Sequence, residues 1–324
     1  MMNEKILVTG SSGFIGMNLC LSLIKDGFEV LGIDNMNNYY DINLKKSRLK
    51  FLKKFKNYSF KEIDLSNKKK LMNEFLKFKP KQVINLAAQA GVRHSLKNPS
   101  KYIDSNIVGF MNVLECSREY EIKGLVYASS SSVYGQNTKT PFSVEDRVDK
   151  PISIYAVTKR ANELMAYSYS NLFNLNTTGL RFFTVYGPWG RPDMAMYIFA
   201  KNIENNQPVS IFNHGDMFRD FTYIDDIIYG IRSAINKNYK CEIFNLGNEK
   251  SFSVTHMLDL IQNCLNKKAI VEYHDIQLGD VKETIADISY SKKKLGYNPN
   301  TSLEEGVSKF IKWYKMYKAS KPLS

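Results

Sequence analysis

The sequence predicts an α/β fold: a doubly wound parallel sheet with a smaller C-terminal α/β region. Three observations predict it. Short apolar runs rich in β-branched residues alternate with stretches of helical periodicity as far as about residue 183. A glycine-punctuated turn, Gly10-Ser11-Ser12-Gly13-Phe14-Ile15-Gly16, joins the first such run to the first helical stretch. Beyond residue 184 the alternation becomes irregular: Pro188, Gly190 and Pro192 mark a loop and Gly215 a turn.

Lys5-Ile6-Leu7-Val8-Thr9 reads as the first strand. Phe14, Ile15, Leu19, Leu23 and Ile24 then recur at helical spacing, and Gly27 ends the helix. Val30-Leu31-Gly32-Ile33 is the second strand, with Asp34 at its end, 18 residues past Gly16. In such a unit Gly10, Gly13 and Gly16 permit a tight turn and a close approach of backbone to a pyrophosphate. The helix start, including the N–H groups of Phe14 and Ile15, favours an anion. Asp34 would accept from a ribose 2′-hydroxyl and repel a 2′-phosphate, so the expected cofactor is NAD rather than NADP and the sheet is a Rossmann fold.

Further strands are expected at 58–60, 83–86, 124–128 and 177–180, separated by helical stretches that include 104–121 and 155–171. A helix should start near Asp225-Asp226, Ile243-Phe244-Asn245-Leu246 reads as one more buried strand, and 303–317 as an amphipathic helix. The expected division is a Rossmann domain over 1–183, with 225–248 returning to it, and a cap over 184–324.

Composition narrows the function classes. The 324 residues are 44% hydrophobic and 24% charged, as in a globular enzyme. No secretory signal is apparent, and no apolar run approaches the roughly 20 residues that cross a bilayer. Cys20, Cys116, Cys241 and Cys264 are scattered, which suits reduced thiols in the cytoplasm. His94, His214, His256 and His274 form no ligand cluster, so no metal is expected. The net charge of +13 sits largely in lysine runs at 45–56, 68–70 and 292–294. The first of these reads as an amphipathic helix with a solvated lysine face, so neither a nucleic-acid nor a membrane partner is expected.

Tyr155 and Lys159 carry the chemistry. At i and i+4 on a helix they share one face. An ammonium favours a nearby phenolate, and a phenol brought down from its usual value of about 10 becomes a base for a sugar hydroxyl.

Ordered along the chain, Gly10-x-x-Gly13-x-x-Gly16, Asp34, Asp64-Leu65, Asn85-Leu86-Ala87-Ala88-Gln89, the serine run 129–132, Tyr155-x-x-x-Lys159 and Arg219-Asp220-Phe221 resemble the extended short-chain dehydrogenase/reductases that act as nucleotide-sugar epimerases and dehydratases. The resemblance covers essentially the whole chain. Ala90-Gly91-Val92-Arg93 and the segment 180–195 are most similar to UDP-glucuronate 4-epimerases.

The resemblance implies an isomerase that inverts C4 of UDP-glucuronate, giving UDP-galacturonate through a transient 4-keto sugar, with NAD regenerated. Tyr155, Lys159 and Ser130 would be catalytic, and region 184–324 would mainly bind the nucleotide sugar. Asp64 and Leu65 would flank the adenine, and Ala87, Ala88 and Gln89 would border the dinucleotide. Asn106 would either join them or be a polar helix residue. Sugar dehydratases keep an Asp-Glu pair after the equivalent of Ser130, and UDP-glucuronate decarboxylases keep the glutamate. Ser131 and Ser132 stand there instead, which favours epimerisation. Ser131, Ser132, Thr184 and Arg191 are candidates to hold the substrate carboxylate; Arg191 would do so as a fork, or would pair with Asp193.

Arg219 matches the diphosphate arginine and Asp280 the acid near the uridine ribose. Arg93 would approach the substrate or pair with a surface acid. The helices at 104–121 and 155–171 resemble a homodimer interface. Epimerisation of UDP-glucose or UDP-N-acetylglucosamine, decarboxylation of UDP-glucuronate and a non-catalytic NAD sensor are the alternatives.

Overall fold

The computed structural model describes residues 4–277 and 279–320. The strands are β1 (Lys5–Thr9), β2 (Glu29–Asp34), β3 (Tyr58–Glu62), β4 (Gln82–Asn85), β5 (Gly124–Ser130), β6 (Thr177–Phe182), β7 (Thr184–Tyr186), β8 (Pro208–Phe212), β9 (Phe218–Arg219), β10 (Phe221–Tyr223), β11 (Cys241–Leu246), β12 (Phe252–Ser253) and β13 (Ile270–His274). The α-helices are α1 (Phe14–Lys25), α2 (Ile42–Leu52), α3 (Lys68–Phe78), α4 (Val92–Lys97), α5 (Pro99–Tyr102), α6 (Gly109–Glu119), α7 (Ile154–Phe173), α8 (Ala195–Glu204), α9 (Ile224–Lys237), α10 (Val254–Leu265), α11 (Ser289–Leu295) and α12 (Leu303–Ala319).

Seven strands form one sheet in the order β11-β6-β5-β4-β1-β2-β3, and every neighbouring pair is parallel. Burial on both faces explains why its strands read as continuous apolar runs. In β1, Ile6 and Val8 join the core beneath α1 and α9, while Leu7 joins the opposite core with Phe75 of α3 and Phe110 of α6. Strand order reverses between β1 and β4, which opens a crevice at the carboxyl edge where Thr9, Asp34, Asn85 and Ser130 end their strands. β11 pairs with β6 in register, Phe244 opposite Leu180. The chain therefore returns to the main sheet after leaving it at Phe182. The remaining strands form three small two-stranded sheets, with α8, α10 and α12 packed beside them.

Two expectations change. The helix expected over 104–121 is a π-helical turn, Ile103–Val108, followed by α6. The wide turn carries Asn106, whose side chain is directed inward to hold the backbone of Gln89. The lysine face expected on the 45–56 run is also incorrect at two positions. Lys45 and Arg48 are buried, because α2 lies over the end of β2 and both cations have partners there. Phe55 falls outside α2, in the turn that follows it.

Candidate active site

The first half of the crevice is built on the glycine turn. Gly10 has a φ of +68°, and a Cβ there would lie 2.7 Å from Ala87 N. A Cβ on Gly16 would collide with Gly10 O. Gly13 closes the turn by donating its N–H to Gly10 O at 2.9 Å and caps α1 without any side-chain bond. The first N–H groups of α1, among them those of Phe14 and Ile15, have no partner within the helix and face the crevice. Asp34 is buried at its rim; Oδ2 accepts from Ser12 N at 3.2 Å and Oδ1 from Met36 N at 2.9 Å. Lys45 Nζ lies 3.5 Å from Asp34 Oδ1.

Across the crevice Asp64 accepts from Asn35 Nδ2 at 2.8 Å and from Ser66 N and Oγ at 2.9 and 2.7 Å. Burial pushes the Asp64 carboxyl up, but these hydrogen bonds outweigh it and hold the group below its usual range. Leu65, Ala87, Ala88 and Gln89 complete this wall. A cradle that a Cβ would fill, free helix N–H groups and an acid at the end of the second strand fit a dinucleotide.

Asn106 does not line the crevice. Its Oδ1 accepts from Gln89 N at 2.8 Å, and its Nδ2 donates to Gln89 O at 3.1 Å and to Thr158 Oγ1 at 3.0 Å. Its polar atoms are thus engaged in shaping the wall from behind.

The crevice continues past Ser130 and Tyr155 into a second chamber lined by Ser131, Ser132, Thr184, Arg191, Arg219 and Asp280. Ser153 caps α7 by accepting from Ala156 N at 3.1 Å, which fixes the turn that presents Tyr155. Burial raises the Tyr155 phenol above its usual value, while a hydrogen bond with Ser130 and the charge of Arg191 act in the opposite direction. Lys159 Nζ donates to Ala128 O at 2.8 Å and stands 5.9 Å from the centre of the Tyr155 ring. Burial lowers its pKa to about 8 against the opposing charge of Glu163. Lys159 is thus committed to the end of β5, close to the Tyr155 ring. Ser130 and Arg191 lower the phenol against its burial.

Ser130 Oγ accepts from Ser132 N at 3.2 Å and from Ser132 Oγ at 2.9 Å. Arg191 is paired as a fork with Asp193, Nε to Oδ1 at 3.0 Å and Nη2 to Oδ2 at 2.5 Å. Burial disfavours its charge, but Asp193 more than compensates and keeps the guanidinium protonated. Arg219 Nη1 donates to Phe218 O and Lys282 O at 2.7 and 3.1 Å. Arg93 is not on the chamber wall; it is half exposed and pairs with Asp280 at 2.6 Å. The acid it reaches itself lines the chamber.

The model of the NAD dependent epimerase/dehydratase family matches residues 6–247. The chain belongs to that family. A UDP-glucuronate 4-epimerase of Thermodesulfobacterium geofontis is 45% identical, over 95% of this chain and 95% of the relative. UDP-glucuronate 4-epimerase 2 of Arabidopsis thaliana is 45% identical, over 96% of this chain and 76% of the relative. The crystal structure of UDP-glucuronic acid 4-epimerase from Bacillus cereus in complex with UDP-glucuronic acid and NAD superposes with a TM-score of 0.90. It is 34% identical, over 97% of this chain and 99% of that one.

In this epimerase/dehydratase chain several site residues escape a reading by motif. Tyr39, Tyr40 and Lys45 line the cofactor half of the crevice. Glu163 lies under the site, accepting from Ser129 Oγ at 2.6 Å, Arg160 Nη1 at 3.0 Å, and Arg181 Nε and Nη2 at 2.8 and 3.0 Å. Its spacing of four from Lys159, on the same helix face, was the available signal.

Proposed function

We propose that the protein binds NAD and interconverts UDP-glucuronate and UDP-galacturonate by inverting C4. The observation that carries this reading is Tyr155 and Ser130 together at the junction of the two halves, with Arg191 beside them and serines at 131 and 132. When bound, NAD supplies the acceptor and donor of the C4 hydride. Tyr155, beside Ser130, takes the C4 hydroxyl proton and later returns it. Lys159, anchored on Ala128 O, would bind the hydroxyls of the nicotinamide ribose. A half-turn of the 4-keto sugar in the second chamber presents its other face, so the configuration inverts. Ser131 and Ser132 have no acid to give at neutral pH, which argues against elimination of water.

In this reading Gly10, Gly13, Phe14, Ile15, Gly16, Asp34, Asp64, Leu65, Ala87, Ala88 and Gln89 hold the cofactor. Ser131, Ser132, Thr184 and Arg191 receive the carboxylate, and Arg219 and Asp280 receive the UDP. Residues 1–183 with 225–248 form the cofactor domain, and the rest of 184–324 mainly binds the nucleotide sugar. Exposed apolar side chains on the π turn, α6 and α7, among them Ile103, Met111, Leu164, Tyr167 and Leu172, support a homodimer through these helices. Among the described residues no helix is long and apolar enough to cross a membrane, and the four cysteines are free. The thiols support a cytoplasmic enzyme, one whose product is an activated uronic acid for polysaccharide biosynthesis. The test is incubation of purified protein with UDP-glucuronate. UDP-galacturonate formed with no growth of NADH absorbance supports the reading; UDP-xylose or a stable 4-keto product overturns it.

A further inference from the structure

We propose that Arg48 and Tyr39 are positioning residues that hold Arg191 for the substrate carboxylate and tie it to the cofactor turn. The inference rests on the uronate reading above. Both residues lie on the segment that follows Asp34, more than 140 positions before the loop they grip. Arg48 has no exposed surface. Its Nη1 donates to Ser12 O at 3.1 Å and to Tyr40 Oη at 2.6 Å, and its Nη2 donates to Trp189 O at 2.6 Å and Gly190 O at 3.3 Å. One guanidinium thus joins the glycine turn to the two residues just before Arg191. Its buried Nε has no hydrogen-bond partner among the described residues. A buried cation left partly unsatisfied is costly, so its geometry serves the two terminal nitrogens.

The gripped loop is also constrained. Trp189 has a φ of +66°, a conformation bulky residues keep only where the surroundings dictate it. Tyr39 adds a second hold: its hydroxyl donates to Asp193 Oδ2 at 3.0 Å, and Asp193 in turn pairs with Arg191. Tyr39 is itself fixed by stacking on His94, with ring centres 4.8 Å apart. Ser12 closes the chain of contacts by donating its N–H to Asp34.

The chemistry makes this hold testable. A 4-keto uronate is a β-keto acid. Loss of CO2 breaks the C5–C6 bond; the electron pair passes to the enolate of the C4 ketone, and C5 then takes a proton. A carboxylate gripped away from alignment with the ketone resists this, and a loosened Arg191 permits it.

The experiment compares wild type, R48K and Y39F with UDP-glucuronate, measuring CO2 and UDP-pentose formed per UDP-galacturonate, together with Tm. The decarboxylated fraction is expected to rise about tenfold in R48K, within the range that a displaced positioning group produces, and less in Y39F. A merely structural role would lower Tm and rate while leaving the product ratio fixed. Ratios unchanged in both variants overturn the positioning role while the epimerase reading stands. Wild type that forms no UDP-galacturonate overturns both. If R48K fails to fold, Y39F, which loses one hydroxyl, decides by the same ratio.

Discussion

Replacing Glu163 with glutamine keeps the side-chain shape and removes one buried charge. That charge accepts two bonds from Arg181, one from Arg160 and one from Ser129. Both Glu163 and Arg181 are almost wholly shielded from solvent. Removing one partner of such a pair leaves the other uncompensated, at a cost of roughly 3–5 kcal/mol. Over 324 residues, an unfolding entropy of roughly 2.1 cal/mol/K per residue converts this to a Tm lower by about 4–7 °C. Activity should respond separately. Burial depresses Lys159 to about 8, and Glu163 is the charge that opposes the depression. The active ammonium is present below about pH 8 and lost above it, so the alkaline limb of kcat/KM should move to lower pH in Glu163→Gln. Calorimetry and a pH profile of UDP-glucuronate turnover measure the two effects. An unchanged Tm would refute the burial argument, and an unmoved alkaline limb would refute the coupling to Lys159.

Tyr155→Phe should abolish turnover and retain bound NAD; near-normal kcat would remove Tyr155 from the role of base. Gly16→Ala places a Cβ against Gly10 O, so NAD content after purification should fall sharply; full occupancy would contradict the packing of the turn. Arg191→Ala should impair UDP-glucuronate by about tenfold or more beyond any loss with a neutral UDP-sugar, on the scale of a lost charge-assisted fork; equal losses would end its carboxylate role. For UDP-glucuronate the acid limb of kcat should lie at higher pH than that of kcat/KM, because a bound carboxylate offsets the charge of Arg191 that favours the phenolate. Coincident limbs would exclude that effect.

The strands of the main sheet were legible because parallel, doubly covered strands are apolar throughout. Those expected at 58–60, 83–86 and 124–128 lie within a residue or two of β3, β4 and β5. The crevice was legible for the same reason: a glycine turn and an acid at the next strand end are local signals. What sequence could not show were contacts between distant segments. Lys45 and Arg48 sit in a lysine-rich run whose periodicity suits a solvated face, yet Arg48 is drawn inward by carbonyls at 189 and 190. Asn106 occupies a helical pattern but meets Gln89, and the widened turn that lets it do so has no periodic signature. The fork between Arg191 and Asp193 was one of two readings of a short spacing; only the fold shows the fork formed and Tyr39 behind it.

The two cations of the site divide their tasks differently from the motif. Tyr155 and Lys159 share a helix face, but Lys159 Nζ is committed to Ala128 O and so to the end of β5. That carbonyl lies one strand pair from Leu180, and Arg181, which follows it, holds Glu163 under the lysine. The ammonium is thus set by the sheet, in a position independent of the sugar. Arg191 belongs to the loop, acts on the phenol through its charge, and lines the second chamber, where on the proposed reading it would receive the uronate carboxylate. Occupation of the second chamber by an anion must therefore weaken one of the two influences that favour the phenolate, leaving Ser130 as the other. On that reading a uronate would be held by the same charge that eases its deprotonation, so tighter carboxylate binding would cost some base strength. On the proposed pathway, Arg191 guards against loss of CO2 at the expense of a more reluctant Tyr155.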